Sequence, residues 1–292
     1  MPRSSVVLVA LITLIWGFNW PIMKIILREV SPFTFRSLCM AAGAVGLFAI
    51  AKFNGLPLRV PPGQWQRLTA SALFNITGWN LLIAFGLKNV AAGRGVLLAY
   101  TMPIWTVLLS MIILHEKITA KRGLGLLFGM IAMFILVSVE FAQIKAAPLG
   151  ALLIVGAALS WSVGTVIMKR YPVSMPTTSM TGWMMVLGGI PIWIATPFFE
   201  TMPLSNVTLW PALGVVYNMT LAVTFCYWAW NTLVSRGSAS VAALSTLMIP
   251  VLGVFSSMLL LGERPRWQEF SALALVIGSL ILVMLPNRKG VR

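Results

Sequence analysis

"WGFNWPIMK", residues 16–24, and "WSVGTVIMK", residues 161–169, share a Trp that is followed at the same distance by Ile-Met-Lys. Two further pairs keep nearly the same offset of about 145 residues. "NITGWN" from Asn75 returns as "NMTLAV" from Asn218, and "TMPIWTVLLSMIILHEKIT" from Thr101 returns as "LMIPVLGVFSSMLLLGERPR" from Leu247. A constant offset over half a chain indicates an internal repeat, and a repeat sets the fold.

The composition excludes a soluble domain. Hydrophobic residues make up 59 % of the 292 residues and charged residues only 9 %, whereas soluble proteins carry about 25 % charged residues. Lipid must therefore serve as part of the solvent. The formal net charge is +15, but the basic residues mostly fall in gaps between apolar runs, where they set membrane topology. No basic stripe is left for nucleic acid.

The apolar runs predict membrane-spanning helices, because a bilayer core needs roughly 20 apolar residues per helix. Isolated strands would leave backbone groups unpaired in lipid, and alternating barrel strands are absent from the sequence. The fold class is therefore an all-α membrane protein with ten predicted spans, at residues 5–27, 33–51, 67–87, 91–114, 122–140, 148–169, 177–199, 207–233, 238–261 and 267–285.

Each repeat holds five predicted spans, and the odd number decides the architecture. A second five-span unit in series must enter the membrane from the opposite side. The sequence thus predicts two inverted five-helix repeats, residues 1–145 and 146–292, around a central cavity. Inverted repeats are typical of transporters, whose substrate site lies between the halves near the bilayer midplane.

The basic residues predict the orientation of the chain. With a cytoplasmic N-terminus, 13 of the 21 Lys and Arg residues fall on the cytoplasmic side and 8 on the other. Cytoplasmic loops carry an excess of Lys and Arg. We therefore expect both termini to be cytoplasmic.

The sequence resembles a known superfamily at several motifs: "WGFNWPIMK", Arg36 near the start of span 2, and the segments after Pro103 and Pro250 that end in "LHEKIT" and "LGERPR". It is similar to the drug/metabolite transporters in their ten-span form of two EamA-type repeats. Within that superfamily it looks most like the YddG-type bacterial aromatic amino-acid exporters. The resemblance implies a multi-pass protein of the bacterial inner membrane. The superfamily's usual Gly-Glu is kept at Gly262-Glu263, whereas the first copy has His115-Glu116.

Neutral polar and aromatic residues lie at the middle of six spans, which in the resembled family line the central cavity. Amide oxygens, hydroxyls and carbonyls freed by proline can bind the ends of a zwitterion, while aromatic faces stack on an apolar side chain. The alternative is that Trp and Tyr form interfacial belts and Asn holds helices together. The candidate substrate-binding residues are Trp16, Asn19, Trp20, Asn75, Trp79, Tyr100, Trp161, Thr165, Tyr217, Asn218, Ser245 and Met248.

Two prolines and two pairs of small residues predict helix geometry. Pro103 and Pro250 each remove a backbone hydrogen bond at equivalent points of spans 4 and 9, which predicts a hinge or a local kink, with simple packing as the alternative. Gly125 and Gly129 on span 5, like Ala274 and Gly278 on span 10, predict close helix contacts, within the chain or in a dimer.

The expected function is export of aromatic and other neutral amino acids and related small metabolites by alternating access. All six Glu lie at or near span ends, so no mid-membrane acid is placed to carry a proton, and facilitated diffusion is favoured. The alternative is a proton-coupled exporter of drugs or cationic amphiphiles. Lys24 and Lys169, in the last turns of spans 1 and 6, act either as interfacial anchors or as a positive rim for a substrate carboxylate.

An enzyme is not expected. His115 beside Glu116 is a potential acid–base pair, but no nucleophile motif, metal cluster or phosphate loop accompanies it. Cys39 and Cys226 are typical of buried apolar positions. We expect no cofactor and no metal. The expected partners are a small-molecule substrate and the lipid bilayer, without nucleic acid, for a monomer or homodimer.

Overall fold

The computed structural model describes residues 3–115, 123–125, 127–132, 134–135, 147–200, 207–229 and 239–284. Regular structure within these ranges is entirely helical. We number the α-helices in chain order: α1 Arg3–Ile26, α2 Pro32–Phe53, α3 Trp65–Ala72, α4 Trp79–Asn89, α5 Ala92–Ala99, α6 Met102–Leu114, α7 Gly123–Ala132, α8 Ala147–Arg170, α9 Thr177–Phe199, α10 Leu209–Tyr217, α11 Ala239–Leu261 and α12 Trp267–Met284.

Within the described residues, two π-helical turns interrupt the α-helical geometry without ending the rods that contain them. The first turn, Leu73–Gly78, joins α3 to α4, and the second, Asn218–Phe225, follows α10. A π turn is rare and is frequently associated with a functional site. Nothing in the sequence predicted either turn.

Seven helical rods within the described residues are long and apolar enough to cross a membrane. They confirm that the chain is a multi-pass helical membrane protein. Their outer faces carry large apolar side chains, such as Phe53, Ile112 and Phe198, which are 91, 70 and 80 % exposed, as expected of side chains that face lipid. The other three predicted spans correspond to α7, α11 and α12, and as membrane crossings they stay predictions.

The helices pack mainly across the two halves of the sequence. α1 lies along α11, α2 along α9, and α4 along α8. In addition α6 packs on α8 and α5 on α11. Among the described residues, the most extensive helix–helix contacts therefore join segments that are far apart in the chain.

Carboxylates at helix ends tie the two halves together. Glu200 accepts hydrogen bonds from the N–H groups of Phe33 and Thr34 at 3.0 and 2.8 Å, in the first turn of α2. Glu263 accepts from Ala92 and Gly93 at 2.7 and 3.0 Å, at the start of α5. The first N–H groups of a helix lack intrahelical partners and carry partial positive charge, so a carboxylate there is stabilising.

Small residues permit close helix contacts on α7 and α12, as predicted for Gly129 and Gly278. A Cβ atom built on Gly129 would lie 2.0 Å from Ile104 Cδ1, and one on Gly278 would lie 3.1 Å from the Phe128 ring. Both contacts are within the chain. They confirm the close helix contact predicted from these two glycines.

Candidate functional site

Each π turn carries one of the predicted asparagines. Asn75 is 5 % exposed and Asn218 is fully buried. The Asn75 amide nitrogen donates to the Met168 sulfur at 3.3 Å, and that of Asn218 donates to the Gly214 carbonyl at 3.2 Å. Both amide oxygens are buried without a donor among the described residues. A buried polar atom without a partner is uncommon and calls for an explanation.

Asn19 on α1 shares this feature, since its amide oxygen is also buried without a donor among the described residues. Asn75 lies directly against α8, because a Cβ atom built on Gly164 would lie 2.3 Å from the Asn75 amide oxygen. Glycine at this position lets the π turn approach α8. The three asparagines thus offer unpaired acceptors within the membrane part of the chain.

Two aromatic pairs lie beside the π turns. Trp79 and Trp161 meet edge to face with ring centroids 5.1 Å apart, and Trp16 meets Tyr227 with centroids 6.1 Å apart. The Trp16 indole N–H also donates to the Ala222 carbonyl in the second π turn at 2.9 Å. The structure thus brings together Trp79 and Trp161, two candidate residues whose contact the sequence did not predict, and adds Tyr227, which sequence reasoning missed.

Four other predicted residues are buried or hydrogen-bonded within the protein. Trp20 is 5 % exposed and packs in the core with its ring against Gly95. The Thr165 hydroxyl donates to the Trp161 carbonyl at 2.8 Å, and the Tyr217 hydroxyl to the Ile15 carbonyl at 2.6 Å. Tyr100, 8 % exposed, lies at the end of α5. These contacts do not test whether the side chains bind substrate.

Two predicted residues lie on α11. Met248 is 49 % exposed. The side chain of Ser245 lies outside the described residues. The binding roles proposed for both stay predictions.

The two prolines occupy different backbone environments. Pro103 lies in the first turn of α6, just after a break in which Tyr100 and Thr101 leave the helix. Pro250 lies inside α11, which continues through it without a break. The break shows a local distortion at the first proline. Whether either proline acts as a hinge stays a prediction.

Lys24 and Glu29 bind backbone groups at the ends of helices. The Lys24 ammonium donates to the carbonyls of Leu87, Lys88 and Val90 at 2.5, 3.0 and 2.7 Å, at the end of α4. This lysine closes a helix terminus. Glu29 accepts from the Thr208 N–H at 2.7 Å, just before α10. Within the described residues there is no group of three or more His, Cys, Asp or Glu that would hold a metal ion.

The arrangement suits binding and passage of an amphipathic solute. It combines aromatic faces with unpaired amide acceptors, and neither the π turns nor the aromatic pairs contain a carboxylate. The helical rods, the apolar outer faces and these interior polar groups define a multi-pass helical membrane protein of the transporter type.

Sequence comparison agrees with this class. The profile of the EamA-like transporter family matches the chain twice, over residues 3–138 and 148–285. The chain belongs to this family, which is part of the drug/metabolite transporter superfamily. Family and relatives indicate a transporter and not an enzyme.

Two curated relatives and one solved structure illustrate the similarity. The chain is 27 % identical to the uncharacterized transporter YoaV of Bacillus subtilis over 87 % of each chain. It is 26 % identical to a probable amino-acid metabolite efflux pump of Escherichia coli, covering 100 % of this chain and 99 % of the pump. A crystal structure with 21 % identity superposes with a TM-score of 0.69 over 97 % of this chain and 96 % of that chain, which shows the fold alone.

Proposed function

We propose that this protein exports aromatic and other neutral amino acids, with related small metabolites, by alternating access. The observation that carries the proposal is the set of three buried amide oxygens without donors, on Asn19, Asn75 and Asn218. A substrate ammonium group supplies the missing donors, and the aromatic pairs offer faces for an apolar side chain. The similarity to an efflux pump for amino-acid metabolites supports the same substrate class.

We further propose the architecture of ten spans in two inverted repeats, residues 1–145 and 146–292, around a central cavity. The π turns support it, because they begin at Leu73 and Asn218, at the offset of the sequence repeat. The packing supports it too: α1 of the first half packs on α11 of the second, and their repeat equivalents, α8 of the second half and α6 of the first, also pack on each other. Alternating access then consists of one set of helices rocking against the other.

We propose facilitated diffusion as the mechanism. Among the described residues, Glu29, Glu200 and Glu263 cap helix starts, and Glu269 pairs with Arg94. Carboxylates held at helix ends are poorly placed to alternate between proton and substrate at the midplane. Glu116 and Glu140 lie outside the described residues.

The proposed setting is the inner membrane of a bacterium, with both termini in the cytoplasm. The excess of basic residues in the predicted cytoplasmic loops and the bacterial relatives support it. The aromatic-exporter specificity of the YddG type is the finer substrate proposal. We propose a monomer or a homodimer as the working unit.

Uptake of labelled phenylalanine, tryptophan, methionine and threonine into proteoliposomes tests these proposals, with and without an imposed pH gradient. Saturable uptake that is independent of the gradient is expected. Uptake that requires the gradient would contradict facilitated diffusion and favour the proton-coupled alternative. Absence of uptake of all four amino acids would contradict the substrate class and leave the family assignment intact.

A matched pair of asparagine variants tests the binding role of the amides. Asn218→Leu removes a buried acceptor, and Asn89→Leu makes the same change at an exposed asparagine that also donates to a carbonyl one turn earlier. The Asn218 amide oxygen has no donor among the described residues, and the Gly214 carbonyl that accepts from the amide nitrogen also accepts from the Asn218 backbone N–H. The substitution therefore leaves no partner unpaired and costs little stability. We therefore expect Asn218→Leu to lower uptake at least about tenfold without loss of thermal stability. Equal effects of the two variants would contradict the role.

A further inference from the structure

Arg36 is a buried cation in the membrane part of the chain. It lies one turn into α2 and is 3 % exposed. Its Nε donates to the Asn80 carbonyl at 3.2 Å, and one terminal nitrogen contacts the Met23 sulfur at 3.1 Å. The guanidinium carbon lies 4.4 Å from the centroid of the Phe35 ring.

No carboxylate forms an ion pair with Arg36 in the part of the chain that the structure describes. The carboxylates described there have other partners at helix ends: Glu29 on Thr208, Glu200 on α2, Glu263 on α5 and Glu269 on Arg94. A charge held in the membrane interior is costly, and it marks a functional position by default. Carbonyl, sulfur and ring contacts lower this cost but leave the net charge uncompensated.

The guanidinium contacts two helices, α1 and α4, that carry candidate site residues. Met23 lies one turn beyond Asn19 on α1, and Asn80 follows Trp79 at the start of α4. Tyr227, whose ring packs on Trp16, lies within electrostatic reach of the guanidinium. The cation is therefore held between the helices that carry Asn19 and Trp79.

Packing alone does not account for the arginine. α2 packs on α9, which occupies the corresponding place in the second half of the sequence. The segment Thr177–Phe199 that forms α9 contains no basic residue. A helix in this position therefore packs without a cation, and the charge belongs to one half only.

We propose that the Arg36 guanidinium binds the carboxylate of the transported solute. The inference rests on the proposed amino-acid function and deepens it. The planar guanidinium matches a carboxylate through two parallel hydrogen bonds. The carboxylate neutralises the buried cation, while the substrate ammonium reaches the asparagine oxygens. One site then reads both ends of a zwitterion.

Four related probes differ in whether they carry a carboxylate, an ammonium group or both. They are phenylalanine, phenylalaninamide, 3-phenylpropionate and phenethylamine. Their dissociation constants are measured from ligand-induced shifts of the unfolding temperature of the purified full-length protein. The variants are Arg36→Gln and, as the matched control, Arg28→Gln, which removes an exposed arginine from the connection between α1 and α2. We expect Arg36→Gln to raise the dissociation constants of phenylalanine and 3-phenylpropionate at least about tenfold. Binding of phenylalaninamide and phenethylamine stays within about threefold, and Arg28→Gln changes none of the four.

Arg36→Lys extends the test should Arg36→Gln not fold. It keeps the charge but loses the planar fork, so binding of the two acids weakens relative to the amide and the amine. Equal weakening of all four probes in a folded variant would show that Arg36 acts only on the structure, and unchanged binding of the acids would overturn the proposal outright.

The same binding measurements on the wild-type protein and on Arg36→Gln distinguish this inference from the proposed function. Binding of 3-phenylpropionate without phenylalanine would support the carboxylate site and contradict amino-acid export. Binding of phenylalanine that is insensitive to Arg36→Gln would support export and contradict the carboxylate site. If none of the four probes binds, both proposals fail.

Discussion

The region around Pro103 and the region around Pro250 carry matching sequence and differ in backbone. Before Pro103 the helix breaks, with Tyr100 and Thr101 between α5 and α6, whereas α11 runs unbroken through Pro250. Both prolines lack the N–H that an interior helix position needs. A proline by itself therefore does not decide whether a membrane helix breaks.

A neighbouring hydroxyl accounts for the difference. The Thr101 hydroxyl donates to the Leu98 carbonyl at 2.7 Å, and the Trp105 indole N–H donates to the same hydroxyl at 3.3 Å. Side-chain hydroxyls of this kind compete with helical hydrogen bonds. When Pro103 is aligned with Pro250, Thr101 corresponds to Met248, which has no hydroxyl. The first copy therefore has a hydroxyl two residues before the proline that the second copy lacks.

At the C-terminal ends of the same two helices, the residues differ between the copies but the backbone conformation is the same. His115 ends α6 with φ 52°, and Gly262 follows α11 with φ 64°. Left-handed backbone is costly for residues with a Cβ atom and not for glycine. The superfamily's Gly-Glu is thus explained by geometry, and His115 keeps the geometry at a cost. Nothing here requires imidazole chemistry.

The largest expected effect comes from Pro250. Pro250→Ala restores a hydrogen bond inside a continuous helix and should raise the free energy of unfolding by about 1–3 kcal/mol. Pro103→Ala lies in the first turn of α6, where proline is tolerated, and should change it by less than about 1 kcal/mol. Denaturant unfolding of the two purified variants measures both values. Equal effects would mean that the two prolines are structurally equivalent after all.

The second-largest effect is expected at Glu263, whose carboxylate accepts hydrogen bonds from the first turn of α5. Glu263→Gln leaves one of the Ala92 and Gly93 N–H groups without an acceptor and should cost about 1–2 kcal/mol. Glu116 is its repeat equivalent and lies outside the described residues. The repeat predicts a similar loss for Glu116→Gln, read from thermal unfolding. A neutral Glu116→Gln would show that the two copies cap their partner helices differently.

Substitutions at the C-terminal ends of α11 and α6 should change the free energy of unfolding in opposite directions. Gly262→Ala should lower the free energy of unfolding by about 1 kcal/mol, because alanine is forced into left-handed backbone. His115→Gly should raise it by up to about 1 kcal/mol, since relief of strain exceeds the added entropy of the unfolded chain. Transport should be unchanged in His115→Gly. Loss of transport in that variant would revive a chemical role for the histidine.

The smallest effect is expected at the break itself. Thr101→Val removes the hydroxyl that supports the break and should cost about 0.5–1 kcal/mol. Thr220→Val is the matched control, since this exposed hydroxyl donates to the Val216 carbonyl at 2.7 Å. Thermal unfolding compares the two. A Thr101→Val protein as stable as the control variant would mean that the proline alone maintains the break.

Much of the fold was predictable, and less of the site. Apolar runs located the seven long helical rods, and the close contacts at Gly129 and Gly278 followed from residue size. Trp79 and Trp161 were candidate residues on spans 3 and 6, but their contact was not predicted. Tyr227 was missed because it lies ten residues beyond Tyr217, near the predicted end of its span, where its contact with Trp16 depends on another helix.

The sequence by itself determined that the chain crosses a membrane as helices and that its two halves repeat. Length, apolarity and offset are properties of the chain read in one dimension, so they need no knowledge of contacts. The tertiary structure alone decided where the π turns lie, which helix ends Glu29, Glu200 and Glu263 cap, and that Arg36 is buried without a counterion among the described residues. Those features arise where segments meet that are 44 to 206 residues apart, as in the Arg36–Asn80 and Trp16–Ala222 hydrogen bonds. Hydropathy and spacing do not specify which groups face each other over such separations.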